Sequence, residues 1–480
     1  MLYTKMMKSQ TPGISPDTYS TRRSFLKTAG VAGAALAGGL TAPMAFSGNE
    51  LESDSPVEKC SFTALPPDFV YLNSGTEGSM PECVLSSYQN GLKTWASNPT
   101  TSYELDQVLG KRQELNRAKA ARFLGVGKNN ICLTDNTTMG LSMTLMGLNF
   151  RPGDRIIMTN HEHNAITSPL RVLQERQGLR IETRSFPAAE TLSAMDSTGL
   201  LDALFPNTPA LRGAKALCVS HVYPTTGVRL PLRALREKAD ELNIPYLVLD
   251  GAQAMGMVDL SDSGDSVENC DFYACPGHKW LNGPPSTGVL YIRNADIRPP
   301  EFYPTIPQRM GKYTGCSDDS DSCFPIAEAL QVRGCSNAPG FAAMIRAMQF
   351  AEDAGGAARI EKHILGLSRE VKNIILSRAP HSIVSPHSDT ALLSGLTAFF
   401  PFNWDKPQAV FSDRKTAEQV VKELLERKIQ VRSIGFSNAG SSNRPPEESY
   451  AIRVSTAYFN TGKQVEIFRN ALKEVLMRIG

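Results

Sequence analysis

The segment from Ala214 to Asp250 limits the fold more than any other part of the chain. Ala214–Val222 reads Ala-Lys-Ala-Leu-Cys-Val-Ser-His-Val, an apolar run of strand length. Pro231 then opens a stretch with Leu232, Leu235, Ala239 and Leu242 on one helical face. Tyr246–Leu249 is a second apolar run and stops at Asp250. Strand, helix and strand in that order make a βαβ unit. Similar alternation between about 110 and 330 predicts an α/β fold with a mostly parallel sheet. Phe272–Ala274 is predicted as a further strand ending near Gly277-His278-Lys279. Such sheets bind ligands at the carboxyl ends of their strands, where Asp250 and Lys279 both fall.

The 480 residues are enough for two sizeable cores. After about 330 the pattern changes. A helical region near 338–379 precedes a strand at Leu396–Phe400, a helix carrying Val420, Val421, Leu424 and Leu425, and a strand at Ala451–Ser455. A last amphipathic helix carries Val465, Phe468, Leu472, Val475 and Leu476. The expected organisation is an export signal at 1–47, a linker and N-terminal segment at 48–90 packing on the small domain, a large domain at 91–330 and a smaller α+β domain at 331–480.

Residues 20–28 carry Arg22-Arg23 followed by Phe25-Leu26-Lys27, and Ala29–Leu40 is small and apolar. A basic stretch, a short apolar stretch and then small residues is the order of a secretory signal. The twin arginine resembles the twin-arginine export signal, which implies a periplasmic or otherwise exported protein handled by that machinery. A span needs roughly 20 strongly apolar residues, so no stable membrane anchor is expected. The net charge of +2 gives no reason to expect nucleic acid. The nine cysteines contain no paired C-x-x-C motifs, so no metal site is expected. Export permits a disulfide, with Cys316–Cys323 one option beside free thiols.

Several polar residues cluster at predicted strand ends in a way that suits pyridoxal 5′-phosphate (PLP). That cofactor needs a lysine for its aldehyde, a carboxylate for its pyridine nitrogen, a clamp on its ring and donors for its phosphate. Lys279 supplies an amine, and a desolvated amine near another cation is easier to deprotonate. Asp250 supplies a carboxylate that needs a cation if buried. Gln253 can donate to the phenolic oxygen and His278 to the phosphate. Thr137 and Thr138 follow Asp135-Asn136 at a helix start, which suits either a phosphate or a plain N-cap. His163 can stack on the ring. His161-Glu162-His163 lacks the H-E-x-x-H spacing of a metal helix.

Taken in order, Thr137-Thr138, Glu162-His163-Asn164, Ser220-His221-Val222, Asp250-Gly-Ala-Gln253, Gly277-His278-Lys279, Arg333-Gly-Cys-Ser-Asn337 and Arg453–Thr461 resemble the class V aminotransferases, fold type I PLP enzymes. Ser220-His-Val with Thr226-Gly227 is closest to the isopenicillin N epimerase-like branch. The resemblance covers about 70–460. It implies the Schiff base on Lys279, Asp250 at the pyridine nitrogen and Gln253 at the phenolic oxygen. It also implies His163 on the ring, Thr137, Thr138 and His278 on the phosphate, and Arg453 on a substrate carboxylate with help from Arg432. Tyr71–Gly78, with Asn73, resembles the family's N-terminal substrate loop. A homodimer is implied, with Gly334–Asn337 completing the neighbour's site.

Three departures bear on that expectation. Pro276 stands where many relatives have a phosphate-binding Ser. Cys335 stands where many have Thr, leaving Ser336 as a substitute. Residues 420–480 hold no cysteine, and Ser437 lies near the place where desulfurases carry theirs. The expected function is therefore an exported PLP enzyme breaking a bond at the α-carbon of an amino acid or a peptide's amino-acid unit, by epimerisation or transamination. Decarboxylative tailoring of a secreted peptide such as a siderophore is an alternative, as some exported relatives act on these. An inactive binding protein on the same fold is another. A serine hydrolase built on Gly435-Phe-Ser437-Asn-Ala-Gly440 fails on the spacing of its second glycine.

Overall fold

A computed structural model describes residues 65–103, 111–262, 264–305, 325–331, 334–437 and 448–479. The export signal at 1–47, Cys316 and Cys323, Arg333 and the side chain of Ser437 lie outside them. The described residues belong to one compact unit.

The first strand, β1 (Val70–Tyr71), stands apart from the main sheet. That sheet contains β2 (Ile131–Thr134), β3 (Arg155–Thr159), β4 (Arg180–Arg184), β5 (Ala216–Ser220), β6 (Tyr246–Asp250), β7 (Phe272–Pro276) and β8 (Gly288–Ile292), in the order β2-β8-β7-β6-β5-β3-β4. β4, β3, β5, β6 and β7 are parallel, and β8 runs antiparallel to both of its neighbours. All five residues of β5 are buried. Leu217 and Val219 enter the core on one face, and Ala216 and Cys218 the core on the other. A strand covered on both faces reads as a continuous apolar run, which is why Ala214–Val222 showed no alternation.

The expected helix after Pro231 is Leu232–Glu241, with Leu232, Leu235 and Ala239 buried. The expected long helical region divides into Ala338–Asp353 and Ala357–Leu376. Gly355 and Gly356 break it at φ +110° and +82°, which L side chains rarely adopt. Phe341, Met344 and Met348 of the first helix pack into a core of the main sheet.

A second sheet is formed by β9 (Leu396–Phe399), β11 (Arg432–Ser437) and β12 (Glu448–Ser455) in the order β11-β12-β9, all antiparallel. β10 (Ile429–Gln430) pairs with β1 in parallel, so the N-terminal segment joins this half of the molecule. Val70, Leu72, Phe399, Val420 and Phe468 share its core. In helix Arg414–Glu426, Val420 and Leu424 are buried while Leu425 faces solvent. The described cysteines, at 83, 132, 218, 270, 275 and 335, are all free thiols.

Candidate functional site

Ser220, Asp250 and Pro276 end three adjacent parallel strands, with Ser220 opposite Asp250 and Asp250 opposite Ala274. This register places Asp250 in a cavity of about 530 Å³ with Lys279, the second residue after Gly277. Asp250 is 2% exposed and accepts one hydrogen bond, from the Ala252 backbone N–H at 2.8 Å. Burial raises its pKa, while that N–H and the neighbouring Lys279 and His163 pull it down. Burial lowers the Lys279 pKa to about 8 against the attraction of Asp250, and Arg453 lowers it further. Burial likewise lowers His278.

One side of the cavity is built at a helix start. Helix Thr137–Gly147 is capped by Asn136, whose side chain accepts from the Met139 N–H at 2.8 Å. The cap is therefore Asn, and the two threonines are free for another task. Thr137 and Thr138 line the cavity. Thr137 Oγ1 and His278 Nδ1 are both buried without a hydrogen-bond partner among the described residues. Unmet buried polar atoms are costly, so two of them facing one cavity fit an acceptor-rich ligand. Pro276 lines the same wall without an N–H to give. Ser336 is not among the residues lining this cavity.

His163 caps helix Asn164–Gln177, accepting from the Ala165 N–H at 3.2 Å, and its exposed ring lines the cavity. Gln253 is held from both ends. Its Nε2 donates to the Gly75 carbonyl at 2.9 Å, and its Oε1 accepts from Trp280 Nε1 at 2.9 Å. One N–H remains for the phenolic oxygen expected of it. The loop Asn73–Gly78 closes the site. Gly78 N–H donates to the His278 carbonyl at 2.7 Å, and a Cβ on Gly78 would stand 1.9 Å from the Lys279 carbonyl oxygen.

Arg453 and Arg432 face each other across the β11–β12 pair and both reach the cavity. Like charges directly opposite destabilise a sheet. Thr76, which the sequence carried only within a loop motif, sits between them. Its Oγ1 accepts from Arg453 Nη2 at 2.7 Å and from Arg432 Nη1 at 3.1 Å, and donates to Asn73 Oδ1 at 2.9 Å. Arg453 is 4% exposed, its Nε has no partner, and no carboxylate pairs with it among the described residues. Burial and the nearby Arg432 disfavour its charged form. An anion brought to this place would relieve both.

Glu162 stands in two of the sequence motifs but was given no role there. Its carboxyl accepts from Thr159 Oγ1 at 2.7 Å, Ser220 Oγ at 2.7 Å and Tyr223 OH at 2.9 Å. Burial raises its pKa to about 7 against those three hydrogen bonds. Its signal in the sequence was a lone acid before His163, which spacing alone could not interpret.

The family model described as aminotransferase class-V matches residues 70–468. Isopenicillin N epimerase of Streptomyces clavuligerus is 24% identical over 416 residues, covering 85% of this chain and 95% of that protein. A probable cysteine desulfurase of Pyrococcus abyssi is 25% identical over 419 residues, covering 86% and 95%. Among solved structures, the cystine C-S lyase C-DES with cysteine persulfide has a TM-score of 0.68 at 24% identity, covering 86% of this chain and 99% of that one. Another form of C-DES, with glycine covalently linked to its PLP cofactor, has a TM-score of 0.67 at 23% identity, covering 85% and 97%. These likenesses show the fold, that of the fold type I PLP-dependent enzymes.

Proposed function

The chain belongs to the aminotransferase class-V family, and from that premise we propose that it is a PLP-dependent enzyme acting at the α-carbon of an amino acid. The observation that carries this is a single cavity holding Lys279, the buried Asp250 and the two arginines. Bound at Lys279, PLP would supply an electron sink for a bond broken at that carbon. Asp250 would hold the pyridine nitrogen protonated, since the two charges compensate each other's burial. Thr137 and His278 would meet the phosphate through atoms now without partners. Arg453, freed from Thr76, would take the substrate carboxylate and fix which bond lies perpendicular to the ring. Lys279, with its pKa lowered to about 8, is suited to take or return the α-proton.

Proton transfer at the α-carbon, as in an epimerase, is the reading favoured over sulfur removal. The absence of any cysteine in 420–480 supports it, because a desulfurase thiol would come from that stretch. Transamination uses the same proton and is separated by its product. The test is incubation of PLP-loaded protein with amino acids and short peptides in deuterated water. Deuterium at the α-carbon without keto acid is expected. Keto acid would identify a transaminase, and a protein that never takes up PLP would sink the proposal. Export through the twin-arginine route is part of the same proposal, supported by Arg22-Arg23-Ser-Phe-Leu-Lys. Replacing both arginines with lysine should leave the protein in the cytoplasm, and unchanged export would refute that route.

A further inference from the structure

Two side chains beside Arg453 have no part in the reading above. Thr225 lines the cavity that holds Lys279 and Arg453, and its Oγ1 lies 2.9 Å from His161 Nδ1. His161 is buried, and its ring packs on Phe186 with centroids 4.8 Å apart. A hydroxyl hydrogen-bonded to a buried imidazole is suited to passing a proton to a substrate.

Thr225 is held more firmly than most loop residues. It sits at the tip of a turn that follows β5. Val222 and Arg229 form a bridge across the base, and the Tyr223 N–H donates to the Val228 carbonyl at 2.9 Å. The Pro224 carbonyl accepts from Arg453 Nη1 at 3.3 Å, the Thr226 carbonyl from Ser385 Oγ at 2.6 Å and the Gly227 carbonyl from Ser394 Oγ at 2.6 Å. Peptide groups on both sides of Thr225 are therefore anchored, which fixes where its hydroxyl can act. The contact with Arg453 sets this tip beside the group expected to hold the substrate carboxylate, one bond from the α-carbon.

The strand order sets Thr225 apart from Lys279. Lys279 follows β7, Asp250 ends β6, Thr225 follows β5 and His161 follows β3, and these strands are neighbours in the order β7-β6-β5-β3. Lys279 thus approaches from one flank of Asp250, and Thr225 with His161 from the other.

We propose that Thr225 is a second catalytic acid and base, serving the face of the α-carbon opposite Lys279, and that His161 is the positioning residue that passes protons through it. The proposal rests on the amino-acid reading above. For one enantiomer, neutral Lys279 removes the α-proton and becomes an ammonium. The electron pair left by that bond takes the proton of Thr225 Oγ1 on the other face. As the O–H bond breaks, Oγ1 takes a proton from His161 Nδ1, and the imidazolium becomes neutral. Lys279 then loses one proton to water and His161 gains one. The other enantiomer runs the same steps in reverse. The charged groups sharing the space around His161 are Glu162 of its own loop and Arg414, Glu418, Arg432 and Glu448 of the facing helix and strands. A change confined to Thr225 leaves all of these in place.

The test incubates PLP-loaded protein in deuterated water with the separate L and D forms of alanine, glutamate and lysine, and reads α-deuterium by mass spectrometry. Both enantiomers of at least one pair should exchange. In Thr225→Val, which keeps the shape and loses the hydroxyl, exchange of one enantiomer should slow about 100-fold relative to the other, the usual size of a general acid–base contribution. Thr225→Ser should restore the balance, and His161→Gln should tilt it the same way by about 10-fold. A general loosening of the site would slow both enantiomers alike. A second readout needs no turnover: exchange of the histidine C2 hydrogens in PLP-free protein, followed against pH by mass spectrometry. Thr225→Val should move the midpoint for His161 and leave those of the other histidines in place. Exchange of one enantiomer only in the unaltered protein, a balance unmoved by Thr225→Val and His161→Gln, or an unmoved His161 midpoint would overturn the relay while leaving the amino-acid reading standing. No exchange from any probe would overturn both.

Discussion

Lys279 and Asp250 oppose each other's ordinary behaviour. Burial disfavours charge on both, and each supplies the other's nearest compensation. A lysine with its pKa lowered to about 8 is half neutral there, and only the neutral amine attacks an aldehyde. The rate at which PLP-free protein captures PLP, followed by absorbance, should therefore rise with pH around a midpoint near 8. A midpoint near 10 would show that the amine is not desolvated. Asp250→Asn should still capture PLP on Lys279, with the midpoint moved to lower pH, because the carboxylate that supports the charged amine is gone. It should slow α-proton exchange by about 100-fold or more, because a neutral amide cannot hold the pyridine nitrogen protonated. Deuterium incorporation measures this, and an unslowed variant would remove Asp250 from the mechanism.

At the scale of elements, the loop Asn73–Gly78 acts as a wedge between the two halves of the site. Gly78 packs its backbone against that of Lys279, which leaves no room for a side chain. Gly78→Ala should push the two segments apart and weaken PLP binding by about 10-fold, in line with ordinary overpacking costs. Equilibrium dialysis against PLP reads this directly. Helix Ala357–Leu376 carries a different constraint. Lys372 is buried on it, donating to Ser368 Oγ at 2.7 Å and the Leu396 carbonyl at 3.2 Å, and has no carboxylate partner among the described residues. Burial lowers its pKa from 10.5 to about 7. Between those values the unfolded chain binds a proton that the folded protein does not. Stability from this group thus rises with pH up to about 10.5 and is smallest below 7. Lys372→Met should stabilise the protein by about 2 kcal/mol at pH 7, after allowing for the two acceptors left without a donor. The gain should shrink by pH 10, and thermal melts at both values check the sign.

At the scale of the whole molecule, none of Gly334–Asn337 is among the residues lining the cavity. We propose that Ser336 serves the phosphate of a neighbouring chain. Sedimentation should find twice the chain mass. Mixing Lys279→Ala protomers with Ser336→Ala protomers should then restore some sites that carry neither change. Full activity from a monomer would contradict this. The two halves of the described chain meet along the cleft. Asp250 ends β6 and Lys279 follows β7 of the seven-stranded sheet, while the arginines come from the three-stranded one, so forming the cavity requires both cores.

Composition and periodicity were enough to read the βαβ order, because an apolar run covered on both faces and a helix with one apolar stripe each leave a local mark. The chemical types at the strand ends were legible too. Asp250, Lys279 and Arg453 carry their chemistry in their own side chains, and the cavity gathers all three. The antiparallel β8 left no such mark, since direction of pairing is not written in a five-residue apolar stretch. Nor could the chain alone tell that Asn136 takes the cap and frees Thr137, that Thr76 bridges the two arginines, or that Gln253 is held at both ends. Those depend on which segments become neighbours. The register of β11 against β12 belongs with them, since the pairing that sets Arg432 opposite Arg453 exists only in the folded sheet.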